Sequence, residues 1–151
     1  SQFISRWRKR SVKIERYILN PISSHGKWSR REPFTVGAPS SSGGAVVGIT
    51  RARLKWSQAI RFWRSIPPVV TDLHNSPGLL FSIGIGEAPI GLQGTFSLWK
   101  SSSALRDFAY KGQAHKVAIE QTESIGWYSE ELFARFEVLE QRGSIVKNLA
   151  N

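Results

Sequence analysis

LLFSIGIGEAPIGLQGTFSLWK, residues 79–100, decides the fold. Two β-rich runs, Leu79 to Glu87 and Gly91 to Lys100, flank Ala88-Pro89-Ile90, so the segment reads as a hairpin. Side chains alternate across a strand. Phe81, Ile83 and Ile85 therefore share one face of the first strand, and Ser82, Gly84 and Gly86 the other. In the second strand Leu92, Phe96 and Leu98 oppose Gln93, Thr95, Ser97 and Trp99. One face is an ordinary apolar core and the other is small and polar. Glycine within a strand loses packing and entropy, and often marks close approach of another backbone or a flat ligand. Two glycines beside Gln93 and Thr95 would leave a shallow hollow, although a solvated face with two flexible spots gives the same pattern. GIGEAP is not a dinucleotide fingerprint, because it lacks the third glycine and enters a hairpin instead of a helix.

Upstream of the hairpin, Ser57 is placed to cap a helix whose apolar positions are Ala59, Ile60, Phe62, Trp63 and Ile66. Pro67-Pro68 bends or ends it, with a further turn through Leu73. Before that helix Ala45 to Leu54 alternates as a strand. Downstream, Ser102 or Ser103 is expected to cap a second helix through Ala104, Leu105, Phe108 and Ala109. Gly112 interrupts it, and Ala114, His115, Ala118 and Ile119 resume the pattern. Leu132 to Leu139 is the last strand. The order is βαββαβ, an α+β ferredoxin-like domain over residues 44–143.

The outer segments read differently. Ser11 to Leu19 alternates as a strand that Asn20-Pro21 stops. Residues 21–43 are rich in Ser, Gly, Pro and charge, which is the signature of a linker, and 144–151 form a tail. The chain starts at Ser1 and has no methionine, so it is expected to be a piece of something longer.

Composition narrows the chemistry. With 151 residues and 40% hydrophobic content, one folded core is expected. No apolar run approaches the ~20 residues that span a bilayer, and no secretory h-region precedes Arg6, Arg8, Lys9 and Arg10. The reading is an intracellular, cytoplasmic chain, with association at a membrane surface left open. Zero cysteines exclude disulfides, zinc–thiolate sites, iron–sulfur clusters and covalent c-type haem. A net charge of +10 raises a nucleic-acid partner first. The excess, however, lies between Arg6 and Arg31, while Glu120, Glu123, Glu130, Glu131, Glu137 and Glu140 outnumber the cations after Gln113. The folded part is no basic platform, and nucleic acid is set aside.

Of the three histidines only His115 is in helical register with apolar neighbours, on one face with Phe108, Gly112 and Ile119. A lone histidine on such a face is more often a satisfied core or rim residue than a ligand. His25 and His74 fall in expected turns, and Glu130-Glu131 reads as a solvated pair. Hydrolase, zincin and P-loop motifs are absent from the sequence.

HGKWSRREPF (25–34), FWRSIPPV (62–69), FSIGIGEAPIGLQGTFSLW (81–99), FAYKGQAHKVAI (108–119) and GWYSEELFARF (126–136) together carry a resemblance. From about Trp28 to Phe136 the chain resembles the spheroidene monooxygenase family, the carotenoid-oxidising enzymes of phototrophic bacteria and their relatives. The resemblance implies a haem-dependent oxygenase of the dimeric α+β barrel type, built from ferredoxin-like repeats. On that likeness this chain matches the C-terminal part, and residues 1–20 are the remnant of a preceding repeat. It further implies haem b, its iron held by His115, the porphyrin lying against Gly84 and Gly86 with Phe96, Phe108 and Ile119 around it. Arg106, Lys116 and Arg135 become the propionate partners. Gln93, Thr95 and Ser97 become the polar groups that steady dioxygen or a carbonyl product. The implied partners are a carotenoid-like apolar substrate and either a second copy of the chain or the missing repeat.

Two other functions stay open on the sequence: a cofactor-free monooxygenase-like or small-ligand-binding domain of the same fold, and a basic binding or assembly subunit that docks through its N-terminal segment.

Overall fold

The computed structural model describes residues 11, 14–40, 43–86, 91–111, 126 and 128–143. Five strands and two helices follow one another as β1 (Arg16–Gly26), β2 (Val46–Leu54), α1 (Ala59–His74), β3 (Leu79–Ile85), β4 (Leu92–Trp99), α2 (Ser102–Lys111) and β5 (Tyr128–Arg142), with a 3-10 turn at Trp56–Gln58 before α1. The sheet order is β1-β5-β2-β4-β3, every pair antiparallel. β2 to β5 are the βαββαβ unit read from the sequence, with the helical connections carrying the chain across a neighbouring strand. The domain is α+β, as expected.

Both helices lie on one face of the sheet. Trp99, fully buried, forms a cluster with Val46 and Leu105 onto which Leu73, Leu79 and Phe108 pack. At the opposite end of β2, Leu54 and Phe62 are buried with Ile66 and Tyr128 beside them. Helix α1 thus spans the sheet from Leu54 to Trp99, and its 16 residues supply the ~24 Å that this crossing needs. Pro67 and Pro68 lie inside α1 without ending it. The hydroxyl of Thr71 donates to the Pro67 carbonyl one turn earlier, at 3.0 Å. Ser57 sits in the 3-10 turn and does not cap α1, whose N-cap position is Gln58. The cap of α2 is Ser101, one residue before the expected serines, where Oγ accepts the Ala104 N–H at 3.2 Å.

The other face carries the larger core, in which Val47, Leu98, Ala134 and Phe136 are buried and Tyr17, Leu19, Phe34, Ile49 and Phe96 close around them. Tyr17 on β1 and Phe96 on β4 meet with ring centroids 5.4 Å apart. Strands three steps apart in a flat sheet are separated by ~14 Å, so this contact requires the sheet to curl towards its helix-free side. That side is concave.

β1 departs from the sequence reading. Asn20-Pro21 does not stop the strand: it runs through both residues to Gly26, and Pro21 pairs with Phe136 next to a register shift. Proline is tolerated because β1 is an edge strand, where a missing N–H leaves no neighbour unpaired. The expected boundary between residues 20 and 21 therefore falls inside a strand of the same sheet. The segment after β1 is not a free connection either. Gly37 N–H donates to the Pro21 carbonyl at 2.9 Å, Ser40 bonds Glu137 through both its N–H and its hydroxyl, and Phe34 packs edge-on against Phe136 with centroids 4.9 Å apart.

Candidate functional site

Two neighbouring regions at the β3–β4 side of the sheet have the chemistry of a site. The first is the polar strip anticipated on the helix-side face. Gly84 pairs with Thr95, and Ser82 with Ser97, across the β3–β4 ladder. A β-carbon at Gly84 would meet nothing within 4 Å, so the surface above this residue is open. Gln93 and Thr95 are half-buried, and neither side chain makes a hydrogen bond among the described residues. Beside the strip the His74 ring nitrogen Nε2 lies 3.1 Å from Ser82 Oγ, which puts a histidine of α1 at its edge.

The anticipated set does not come together as a whole. Ser97 is buried and already engaged, donating to the Gly48 carbonyl at 3.2 Å and accepting from Trp99 Nε1 at 2.9 Å. Phe96 is on the concave face, against Tyr17, and so on the opposite side of the sheet from Gly84. Phe108 stacks on Trp99 at 5.3 Å in the helix-side core. Arg106 is exposed on α2. Arg135 on β5 pairs with Ser23 and Gly48, three strands from Gly84. Gly86 stands next to the strip at the end of β3. His115, Lys116 and Ile119 lie outside the described residues, and among the described residues no three His, Cys, Asp or Glu side chains gather as metal ligands.

The second region was missed by the sequence reading. A cleft of about 230 Å³ opens at the end of the concave face, lined by Trp28, Arg51, Ile85, Gly86, Leu92, Gln93 and Gly94. Its wall is built on a partly buried ion pair. Arg51, only 3% exposed, donates from Nη1 to Glu130 Oε1 at 2.8 Å, and its guanidinium carbon sits 4.6 Å above the centre of the Trp28 ring. The same carboxylate accepts the N–H of Ser29 at 3.0 Å and of Arg30 at 2.6 Å. Ser29 and Arg30 both have positive φ, 53° and 65°, which turns their two N–H groups towards one acceptor. These contacts hold the Glu130 carboxyl down at about 2, with the Arg30 N–H the largest cause and the Arg51 side chain next.

Glu130 is thus no solvated acid. Strand alternation puts it on the concave face with Leu132 and Ala134, and Arg51, the buried one of the two arginines of β2, is its partner there. HGKWSRREPF, GWYSEELFARF and the hairpin segment, far apart in sequence, meet at this cleft.

The sequence is similar to three curated spheroidene monooxygenases. It is 37% identical over 142 residues to that of Rhodobacter capsulatus, covering 92% of this chain and 58% of the relative. It is 35% identical over 140 residues to that of Cereibacter sphaeroides, covering 92% and 43%. It is 34% identical over 143 residues to that of Rubrivivax gelatinosus, covering 95% and 54%. The chain spans about half the length of the curated relatives it matches. No family model matches it. Among solved structures, a putative monooxygenase from Fusobacterium nucleatum superposes with a TM-score of 0.59 at 14% identity, over 82% of this chain and 51% of that one. A putative antibiotic biosynthesis monooxygenase from Caulobacter crescentus does so with a TM-score of 0.54 at 15% identity, over 65% and 92%. At these identities the structural neighbours share the fold.

Proposed function

We propose that the chain belongs to the spheroidene monooxygenase family, to whose members it is 34–37% identical, and that it takes part in the oxygenation of a carotenoid or similarly long apolar substrate by dioxygen. The observation that carries this reading is the helix-side strip. It combines the open surface over Gly84 with two polar side chains, Gln93 and Thr95, that the fold leaves without hydrogen-bond partners among the described residues. A half-buried amide and hydroxyl without protein partners bond water in the free chain and can exchange it for a ligand's hydrogen bonds. A carbonyl or hydroxyl formed on an otherwise apolar chain supplies them. Gln93 and Thr95 are then the groups that orient the reacting carbon.

Haem b is the cofactor proposed for the reaction, with His115 as its iron ligand. The fit rests on the space beside Gly84, where the absence of a side chain lets a flat ring approach the sheet. When bound, haem supplies dioxygen activation at iron, chemistry that no side chain of this cysteine-free sequence provides. The further proposals are association at a membrane surface, where such substrates reside, and a second copy or repeat to complete the barrel. Among the described residues no helix is long and apolar enough to cross a membrane.

Titration of the purified chain with haem, followed by absorption, tests the cofactor. A Soret band that shifts or weakens in His115→Ala supports ligation. An unchanged band in that variant, or no band in either protein, contradicts it.

A further inference from the structure

We infer that the outward face of α1, with the turn before it, docks on an anionic lipid bilayer: Trp56 and Ile60 enter the interface while Lys55 and Arg64 meet the headgroups. This deepens the proposed membrane association by naming its contact surface, and it rests on that association and not on the oxygenation chemistry. Helix α1 turns Phe62, Ile66 and Leu73 towards the domain core, a stripe at helical spacing. The opposite side carries Ile60, Arg64, Pro67 and Thr71 on successive turns, all exposed. Trp56, four residues before Ile60, lies in the 3-10 turn that leads into the helix. The outer side of such a helix is normally polar. Here Trp56 is 75% exposed and Ile60 73%, more than any other large apolar side chain among the described residues.

Single exposed apolar side chains are ordinary on a protein surface. Two large ones a helical turn apart, set among cations, have the composition of an interfacial helix. There an indole and an aliphatic chain sink to the headgroup boundary, and Lys or Arg pairs with lipid phosphate. The charge on this segment has one sign: residues 52–71 include Arg53, Lys55, Arg61 and Arg64 and no Asp or Glu. Lys55 and Arg64 are exposed and bracket Trp56 and Ile60 in the sequence. The net charge of +10 adds a long-range attraction to an anionic surface. An anionic bilayer is complementary to both parts of this face, the apolar pair and its flanking cations.

Co-sedimentation with vesicles of equal parts phosphatidylcholine and phosphatidylglycerol, and with vesicles of phosphatidylcholine alone, tests the face. The unaltered chain should bind the mixed vesicles more tightly, and added salt should weaken that binding. Replacing Trp56→Gln and Ile60→Gln together should weaken it at least tenfold, and Lys55→Gln with Arg64→Gln should abolish the preference for the anionic lipid. Ile83→Gln, which removes an exposed apolar side chain from the concave face, should change binding by less than twofold. All five side chains are exposed, so the variants keep the fold, which circular dichroism checks. No vesicle binding by the unaltered chain overturns the face and the membrane association together. Binding that neither α1 pair weakens keeps the association, moves it to another surface such as the basic stretch from Arg6 to Arg31, and overturns the face. Equal losses in Ile83→Gln and the α1 pairs overturn it as well. A dimer that Trp56→Gln with Ile60→Gln dissolves, with no vesicle binding, gives the face to a second copy and overturns the lipid contact. Oxygenation of spheroidene in detergent is read separately, and its absence together with the expected vesicle binding removes the activity and keeps the face.

Discussion

Arg51 and Glu130 are 79 residues apart in sequence and bond at 2.8 Å on the concave face of the sheet. The pair holds three pieces of chain together: the middle of β2, the start of β5, and the turn at 28–31 whose N–H groups end on the same carboxylate. Removing one partner of a buried pair leaves an uncompensated charge, which costs more than the pair contributes. Glu130→Gln should therefore destabilise the domain by roughly 3 kcal/mol, read from chemical denaturation. Arg51→Met should cost less, because Glu130 keeps its two backbone donors. Equal losses in the two variants would mean that the cation left behind in Glu130→Gln carries no cost beyond that of the lost pair.

The same carboxylate sets an acid limit. Its ionisation is lowered from 4.5 to about 2 in the fold, so its contribution is complete above about 4.5 and is lost as pH falls towards 2. Stability measured across that window should fall with pH in the unaltered chain, and the slope should be shallower in Glu130→Gln. Parallel curves would assign the acid limb to other groups.

Ser97 and Thr95, two residues apart on one face of β4, should separate in their roles. Ser97 links the Trp99 indole to the Gly48 carbonyl, so Ser97→Ala leaves a buried N–H without its acceptor and should lower stability by about 1–3 kcal/mol. Thr95→Val breaks no bond among the described residues and should leave thermal stability nearly unchanged while reducing turnover by tenfold or more. Melting temperatures and product formation in both variants check the contrast.

Glycines on the two sides of Ser97 should also differ. A side chain at Gly48 starts 3.0 Å from Ser97 Oγ and 3.4 Å from Leu105, so Gly48→Leu should destabilise the helix-side core. Gly84→Leu meets open space and should fold normally, yet lower haem affinity at least tenfold by filling the strip. Normal haem binding by Gly84→Leu would place the ring elsewhere.

Much of this architecture was legible because the signals are local. Period-two alternation in 79–100 and the apolar spacing of Ala59 to Ile66 give β3, β4 and α1, and with them the βαββαβ order. β1 was misjudged because a proline that breaks a central strand is harmless on an edge, and edge position is decided by the pairing with β5 a hundred residues later. The polar strip was readable from alternation alone. Three features were not: Ser97 turned to Trp99, Phe96 on the far face, and Glu130 held by the 28–31 turn. Each depends on which partner the tertiary fold brings across, and no window of sequence contains that partner. The fold sets Gln93 and Thr95 beside the open surface at Gly84, where the proposed function uses them.

Oxygen transfer to a long apolar chain is measured most directly with isotopically labelled dioxygen. Purified protein supplied with haem, a reductant and spheroidene should yield a carotenoid carrying the label, with label uptake reduced in Thr95→Val and Gly84→Leu. Spheroidene recovered without label under those conditions would contradict oxygen transfer by this protein.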